Sequence, residues 1–305
     1  MTKVFIIVLN WKGKKDTLDC LKSISKLNTR EIELTTIVVD NASADGSVEE
    51  ISRFEVGKGK MIVIENDANL GFSGGNNVGI KYSLENDADY VLVVNNDIVL
   101  DHLSLIQLIK VFENSDKIGA VSPIIFFFKG YEYHKRRYMK SELGKVVWSA
   151  GGKIDWKNVY AQNFGVDEVD HGQFIEEETE FATGACVLYK ANILKKIGMF
   201  DEKYFLYFED TDLSMRIKKG GYKILFTPNA KVWHKVAQSS GIGSNLNDYY
   251  TTRNRMIFGM KYASMRTKIA LIRESISLFL HGRNWQRVGV RDYYLRRFYQ
   301  GSWQS

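Results

Sequence analysis

The chain has 305 residues, with 42 Lys and Arg against 36 Asp and Glu and 45% apolar residues, a composition that excludes a disordered or fibrous protein. The formal charge of +6 is unevenly placed: residues 251–305 hold 11 Lys and Arg and two acids, Glu274 and Asp292, making that segment +9 and residues 1–250 −3. This split excludes a uniformly basic nucleic-acid binder and puts the positive field on the C-terminal segment.

Val4–Leu9 is a short continuous apolar run, the mark of a strand buried on both faces. Leu18, Leu21, Ile24 and Leu27 follow at helical spacing. Leu34–Val39 is a second strand ending at Asp40, and the turn-rich Asn41–Gly46 leads to a helix over Ser47–Phe54. Met61–Ile64 is a third strand. The Gly-rich Asn69–Gly75 opens a helix through about Leu84, and Tyr90–Val94 is a fourth strand ending at Asn95-Asn96-Asp97. Four βα units in succession predict an α/β fold with a doubly wound, mostly parallel sheet. Ligands of such sheets bind beyond the carboxyl ends of the strands, where Asn10, Asp40, Asn69 and Asn95–Asp97 all fall.

The middle of the chain is less regular. Strands are expected at Pro123–Lys129 and Lys145–Ile154, a mobile surface loop at Lys129–Lys140, and a strand–turn–strand at Glu180–Tyr189 around Gly184. Short helices are expected at Ala191–Lys196 and Asp210–Lys219, and short strands at Lys223–Phe226 and Ala230–Trp233. From Asn247 onward the pattern is helical. This divides the chain into a nucleotide-binding and catalytic part, 1–246, and a basic helical extension, 247–305.

Cys20 and Cys186 lie in apolar contexts and read as buried thiols, with no disulfide or zinc spacing, which points to a reducing cytoplasm. The apolar N-terminal run is too short for a leader, and no uncharged run reaches the ~18 residues that span a bilayer.

The candidate chemistry is carboxylate chemistry. Asp40 can accept hydrogen bonds from a base or ribose, or cap its own turn. Glycines at the helix start after Asn69 can let main-chain N–H groups approach a diphosphate, or simply cap the helix. Asp97 can hold a divalent ion or cap a helix, and His234 can complete the site, because imidazole suits Mn2+ better than Mg2+, or be a structural histidine. Glu209, Asp210 and Asp212 open a helix, where acids are stabilising in any case; Asp210 can also be a general base toward a hydroxyl.

Asn10-Trp11, Val39–Ser47, Asn69–Asn77, Asn95-Asn96-Asp97, Phe208–Leu213 and Trp233-His234 together resemble the motif series of family 2 glycosyltransferases, closest to rhamnosyltransferase-like members, over residues 3–260. The resemblance implies a GT-A fold, a nucleoside-diphosphate-sugar donor, Mg2+ or Mn2+, and inversion at the anomeric carbon. It implies that Asn10, Asp40, Asn41, Asn69, Gly74, Asn76, Asn96 and Asp97 bind the nucleotide sugar, that Asp97 and His234 ligate the metal, and that Asp210 is the base. Gly184, Glu209, Arg253 and Asn254 are expected at the acceptor or the diphosphate, the last two from a Tyr-Tyr-x-x-Arg-Asn element. Asn95 departs from the Asp-x-Asp pattern, keeping an acceptor oxygen but losing a charge.

The expected product is a cell-surface glycan built at the cytoplasmic membrane face, with dTDP-rhamnose favoured as donor and a UDP-sugar as runner-up. The expected acceptor is a glycan or a polyprenyl-diphosphate-linked sugar. A sugar-nucleotide nucleotidyltransferase is the alternative enzyme class, but the segment after the first strand, Asn10–Lys15, matches its Gly-rich basic loop poorly. The C-terminal segment fits three roles: an anionic membrane contact, a homo-oligomer contact, or a solvated face packed on the main body.

Overall fold

The computed structural model describes residues 1–57, 59–236 and 244–303. The first half runs β1 (Thr2–Asn10), α1 (Lys14–Ile24), β2 (Ile32–Asp40), α2 (Ser47–Ser52), β3 (Lys60–Glu65), α3 (Gly71–Glu85) and β4 (Tyr90–Asn95). Next come β5 (Ile98–Leu100), α4 (Ser104–Val111), β6 (Ile118–Phe127), β7 (Val147–Ser149), β8 (Gly152–Asp155), β9 (Tyr160–Asn163) and β10 (Glu177–Glu178). The chain ends with β11 (Cys186–Lys190), α5 (Ala191–Ile197), α6 (Glu209–Lys219), β12 (Lys223–His234), α7 (Asn245–Tyr262), α8 (Met265–His281) and α9 (Asn284–Tyr294).

The main sheet has the order β10-β12-β6-β11-β4-β1-β2-β3. Its β3-β2-β1-β4 half is parallel throughout, as successive βα units require. β11 enters antiparallel to both β4 and β6, and β6 runs parallel to β12. The sheet is therefore mixed. β1 explains its own position: Val4, Ile6 and Val8 pack on one face with Leu21 and Leu105, and Phe5 and Ile7 on the other with Ile80 and Leu213. Alternate residues of a strand point to opposite faces, so only a continuous apolar run can fill both.

Three expected elements differ. The segment 180–185 is irregular, and only Cys186–Lys190 pairs as a strand. Lys223–Phe226 and Ala230–Trp233 are one strand, β12, with a register shift between Thr227 and Lys231 against β6. The basic 129–140 segment is pinned from inside: buried Glu132 accepts from the N–H groups of Gly130 and Gly144, both at 2.8 Å.

The C-terminal helices are joined to the body through Asp212. This fully buried carboxylate accepts from Arg216 Nε at 2.8 Å, Lys261 Nζ at 2.7 Å and the Tyr262 hydroxyl at 2.9 Å. Among the described residues no helix is long and apolar enough to cross a membrane.

Candidate active site

Parallel register sets the strand ends side by side: Asn10 lies opposite Asp40, and Leu9 opposite Asn95. Asn10 Nδ2 donates to Asp40 Oδ2 at 2.6 Å, Ser43 N–H to Asp40 Oδ1 at 2.8 Å, and the Thr17 hydroxyl to Asn10 Oδ1 at 2.7 Å. Both Asn10 and Asp40 are 0% exposed. The sequence places them in a ligand pocket; the structure places them behind its wall, where they brace the loops after β1 and β2.

The wall itself encloses a cavity of about 590 Å³, lined by Leu9, Trp11, Asn41, Asn69, Phe72, Asn96 and Asp97 from the sheet edge. Asn41 clips two loops together: its Nδ2 donates to Gly71 O at 2.9 Å, and its Oδ1 accepts from Asn66 Nδ2 at 2.8 Å. Gly71 has φ +70°, and a Cβ there would stand 2.5 Å from Phe205 O. A Cβ on Gly74 would meet Leu70, and one on Gly75 would meet Leu9 at 2.4 Å. These glycines serve close packing of α3, and Ser73 N–H already donates to Phe205 O. Gly74 and Asn76, expected at the nucleotide sugar, do not line this cavity. Asn76 is 0% exposed and donates back to Phe72 O at 2.9 Å within α3.

Asp97 follows β4, and His234 ends β12 opposite Ile98 of β5, so sheet pairing brings together residues 137 positions apart. Asp97 Oδ1 lies 3.1 Å from His234 Nε2, yet that oxygen is buried and takes no hydrogen bond from any described group. A carboxylate oxygen and an imidazole nitrogen converging without a shared hydrogen bond suit a divalent cation. Among the described residues no three His, Cys, Asp or Glu gather, so a cation here would take its other ligands from phosphate or water oxygens.

A second cavity, about 540 Å³, is lined by Tyr160, Asn163, Phe181, Tyr207, Glu209, Asp210, Asn247, Asp248, Thr251, Arg283 and Gln286. The segment between the cavities is shared: Phe205 and Leu206 face the first, and Tyr207 to Thr211 the second. Phe205, Tyr207 and Phe208 have φ of +64°, +68° and +73°. Three bulky residues in the left-handed region are strained, and such strain persists only where surroundings impose it. Asp210 follows directly. Its Oδ2 accepts from Gly184 N–H at 2.9 Å, and its Oδ1 from Thr211 N–H at 2.6 Å and the Thr211 hydroxyl at 3.0 Å. Burial raises the Asp210 carboxyl above its usual range, against the pull of these N–H groups. Glu209 is buried, and its Oε2 has no hydrogen-bond partner among the described residues. Burial first, then the charge of Asp210, pushes its carboxyl well above the ordinary range.

Arg253 and Asn254, expected at the acceptor or the diphosphate, line neither cavity. Both are 0% exposed. Arg253 donates to the carbonyls of Tyr204 at 3.0 Å and Tyr299 at 2.8 Å, and its Nε to Asn254 Oδ1 at 3.0 Å. Asn254 Nδ2 lies within 2.9 Å of the carbonyls of Tyr204, Leu206 and Tyr207. Together they impose the strained segment. Sequence reasoning missed Leu246, Gln300 and Trp303, which close the first cavity, and Asn163, Asn247, Asp248, Thr251 and Gln286 around the second. The one signal was the aromatic density at Tyr249, Tyr250 and Trp285, onto which Trp303 packs.

The family described as "Glycosyltransferase like family 2" matches residues 2–259. The N-acetylglucosaminyl-diphospho-decaprenol L-rhamnosyltransferase of Mycobacterium tuberculosis is 26% identical over 230 residues, 72% of each chain. The rhamnosyltransferase WbbL of Escherichia coli K12 is 25% identical over 169 residues, 52% of this chain and 58% of that one. Among solved structures, mannosyltransferase PcManGT from Pyrobaculum calidifontis, in complex with GDP-Man and Mn2+, superposes with a TM-score of 0.57 at 14% identity, over 99% of this chain and 76% of that one. TarS of S. aureus in complex with UDP-GlcNAc gives 0.57 at 15% identity, over 96% and 79%. These likenesses are of fold, the GT-A arrangement of a mixed sheet with helices on both faces. With the family match over most of its length, the chain belongs to the family 2 glycosyltransferases.

Proposed function

We propose that the protein is an inverting, metal-dependent glycosyltransferase that moves L-rhamnose from dTDP-rhamnose to a hydroxyl of a glycan or of a polyprenyl-diphosphate-linked sugar. The observation that carries the reading is the position of Asp210 on the partition between two cavities, with Asp97 lining the first and His234 3.1 Å from it. The first cavity takes the nucleotide sugar, with Asn41, Asn69 and Asn96 as its polar wall, and the second takes the acceptor. The rhamnose donor and the lipid-linked acceptor rest on the named activities of the relatives, and the work is then done at the cytoplasmic face of the membrane.

In this reading the acceptor hydroxyl attacks the anomeric carbon on the face opposite the diphosphate. The new C–O bond forms as the bond to the diphosphate breaks, and the leaving diphosphate keeps the electron pair. Asp210 Oδ2, which keeps a lone pair beside its Gly184 contact, takes the hydroxyl proton. The raised Asp210 carboxyl makes it a better proton acceptor than an ordinary aspartate. The raised Glu209 carboxyl disfavours a second negative charge beside the base. Asp97 and His234 would hold a divalent cation, which would supply positive charge against the departing diphosphate.

The test is transfer from dTDP-rhamnose, compared with UDP-sugars, onto a lipid-diphosphate-linked acceptor. Turnover with dTDP-rhamnose supports the reading. Turnover with only a UDP-sugar replaces the donor and leaves the enzyme class.

A further inference from the structure

The helix α8 buries one side and leaves another bare. Leu271 and Ser275 are buried, and the Ser275 hydroxyl meets the Tyr294 hydroxyl of α9 at 2.8 Å. Away from that contact, Met265, Ile269, Ile272, Ile276, Phe279 and Leu280 are 39–70% exposed. At helical spacing these six side chains fall within about 100° of arc, one continuous apolar stripe in water. Arg266 and Arg273 border the stripe on one side and Lys268 on the other. None of the three has an acidic partner among the described residues. Glu274, the one acid of the helix, points elsewhere and is held by Arg255 at 2.7 and 2.8 Å.

An apolar stripe of this size marks a contact surface. The charge on its borders selects the occupant. A second copy docked through the same stripe would press Arg266, Lys268 and Arg273 against their own counterparts. An anionic surface would be attracted by all three. We infer that this face of α8 lies in the headgroup region of an anionic bilayer, the six apolar side chains entering the acyl boundary and the three cations meeting lipid phosphates. Two residues beyond His281, Arg283 grips Asp248 on the rim of the cavity that holds Asp210. Docking of α8 would therefore bring the acceptor cavity to the lipid surface. This use of the contact rests on the proposed acceptor; the contact itself does not.

The test is co-sedimentation of the full chain with phosphatidylcholine vesicles, with and without phosphatidylglycerol. The expected result is about tenfold or greater partitioning onto the anionic vesicles, weakened by salt. The variant Ile272→Ser/Ile276→Ser/Phe279→Ser should lower it about tenfold or more. The variant Arg266→Glu/Arg273→Glu should abolish the preference for anionic lipid. All these side chains face solvent, so both variants should keep the wild-type melting temperature and its rise with added nucleotide. Unchanged vesicle binding in both variants would overturn the inference. So would a dimer, seen by light scattering, that the triple substitution dissociates. Vesicle binding without sugar transfer would count against the proposed activity and leave the contact standing.

Discussion

Arg253 donates to the main-chain carbonyl of Tyr204 at 3.0 Å, and through that contact a residue of α7 sets the entry to the segment that ends at the proposed base. Tyr204 O also accepts from Asn254 Nδ2 at 2.8 Å, so one carbonyl is fixed by two neighbouring side chains. The partition between the cavities is thus held from behind by residues that touch neither.

Replacing these residues should act on fold and turnover together. Asn254→Ala removes a donor from the carbonyls of Tyr204, Leu206 and Tyr207 and should cost about 2–4 kcal/mol in urea unfolding, with turnover falling at least about tenfold. Arg253→Lys should behave similarly, because an ammonium cannot reproduce the planar fork. Loss of nucleotide affinity with unchanged stability would instead return Arg253 to a phosphate-binding role.

Gly184 is a second point of leverage. A Cβ there would stand 2.9 Å from Phe72 Cζ and 3.5 Å from Asp210 Cβ. Gly184→Ala should destabilise by about 1–3 kcal/mol and lower kcat more than donor KM, since it displaces the N–H that holds Asp210 Oδ2. Wild-type kcat in a stable Gly184→Ala protein would detach this contact from catalysis.

Two groups of acids should give opposite pH dependences. For Asp212, burial acts to raise the carboxyl, but Lys261 and Arg216 outweigh it and the carboxyl ends below its usual value. Its stabilisation is complete above the ordinary aspartate range and is lost as pH falls through the depressed value. Asp212→Asn should flatten the loss of melting temperature on acidification. Glu209 and Asp210 are raised, so their stabilising protonated forms are present below the ordinary carboxylate range and are lost as pH rises through the elevated values. Glu209→Gln should therefore raise the melting temperature at pH 7 and flatten its decline above the ordinary carboxylate range. A large drop at pH 7 would mean that Glu209 is charged in the folded protein.

Asp97→Asn and His234→Ala should each weaken the extra thermal stabilisation that Mn2+ gives to a nucleoside diphosphate, by about tenfold in apparent metal affinity. Neither should alter the melting temperature without ligand by more than about 2 kcal/mol equivalent. Metal-independent stabilisation in the wild type would remove this pair from the site.

Much of this was legible in the sequence because each signal was local. The apolar run Val4–Leu9 and the polar residues after each strand disclosed a parallel sheet and its ligand edge. Asp97, His234 and Asp210 stood out as ionisable residues at element ends. The roles of Arg253 and Asn254 were not legible: an arginine on a helix reads the same whether its guanidinium meets phosphate or buried carbonyls 50 residues away. The glycines of α3 are ambiguous for a related reason, since close packing and phosphate approach demand the same missing side chain. The partition depends on left-handed Phe205, Tyr207 and Phe208, and no sequence rule assigns that conformation to aromatics.

The central claim is that Asp210 is the base of a transfer reaction. The most direct measurement is single-turnover sugar transfer by Asp210→Asn, alongside calorimetric titration of the same protein with the nucleoside diphosphate. Transfer should fall by at least about a thousandfold while nucleotide affinity stays within a few-fold of wild type. Transfer within tenfold of wild type at unchanged affinity would contradict it.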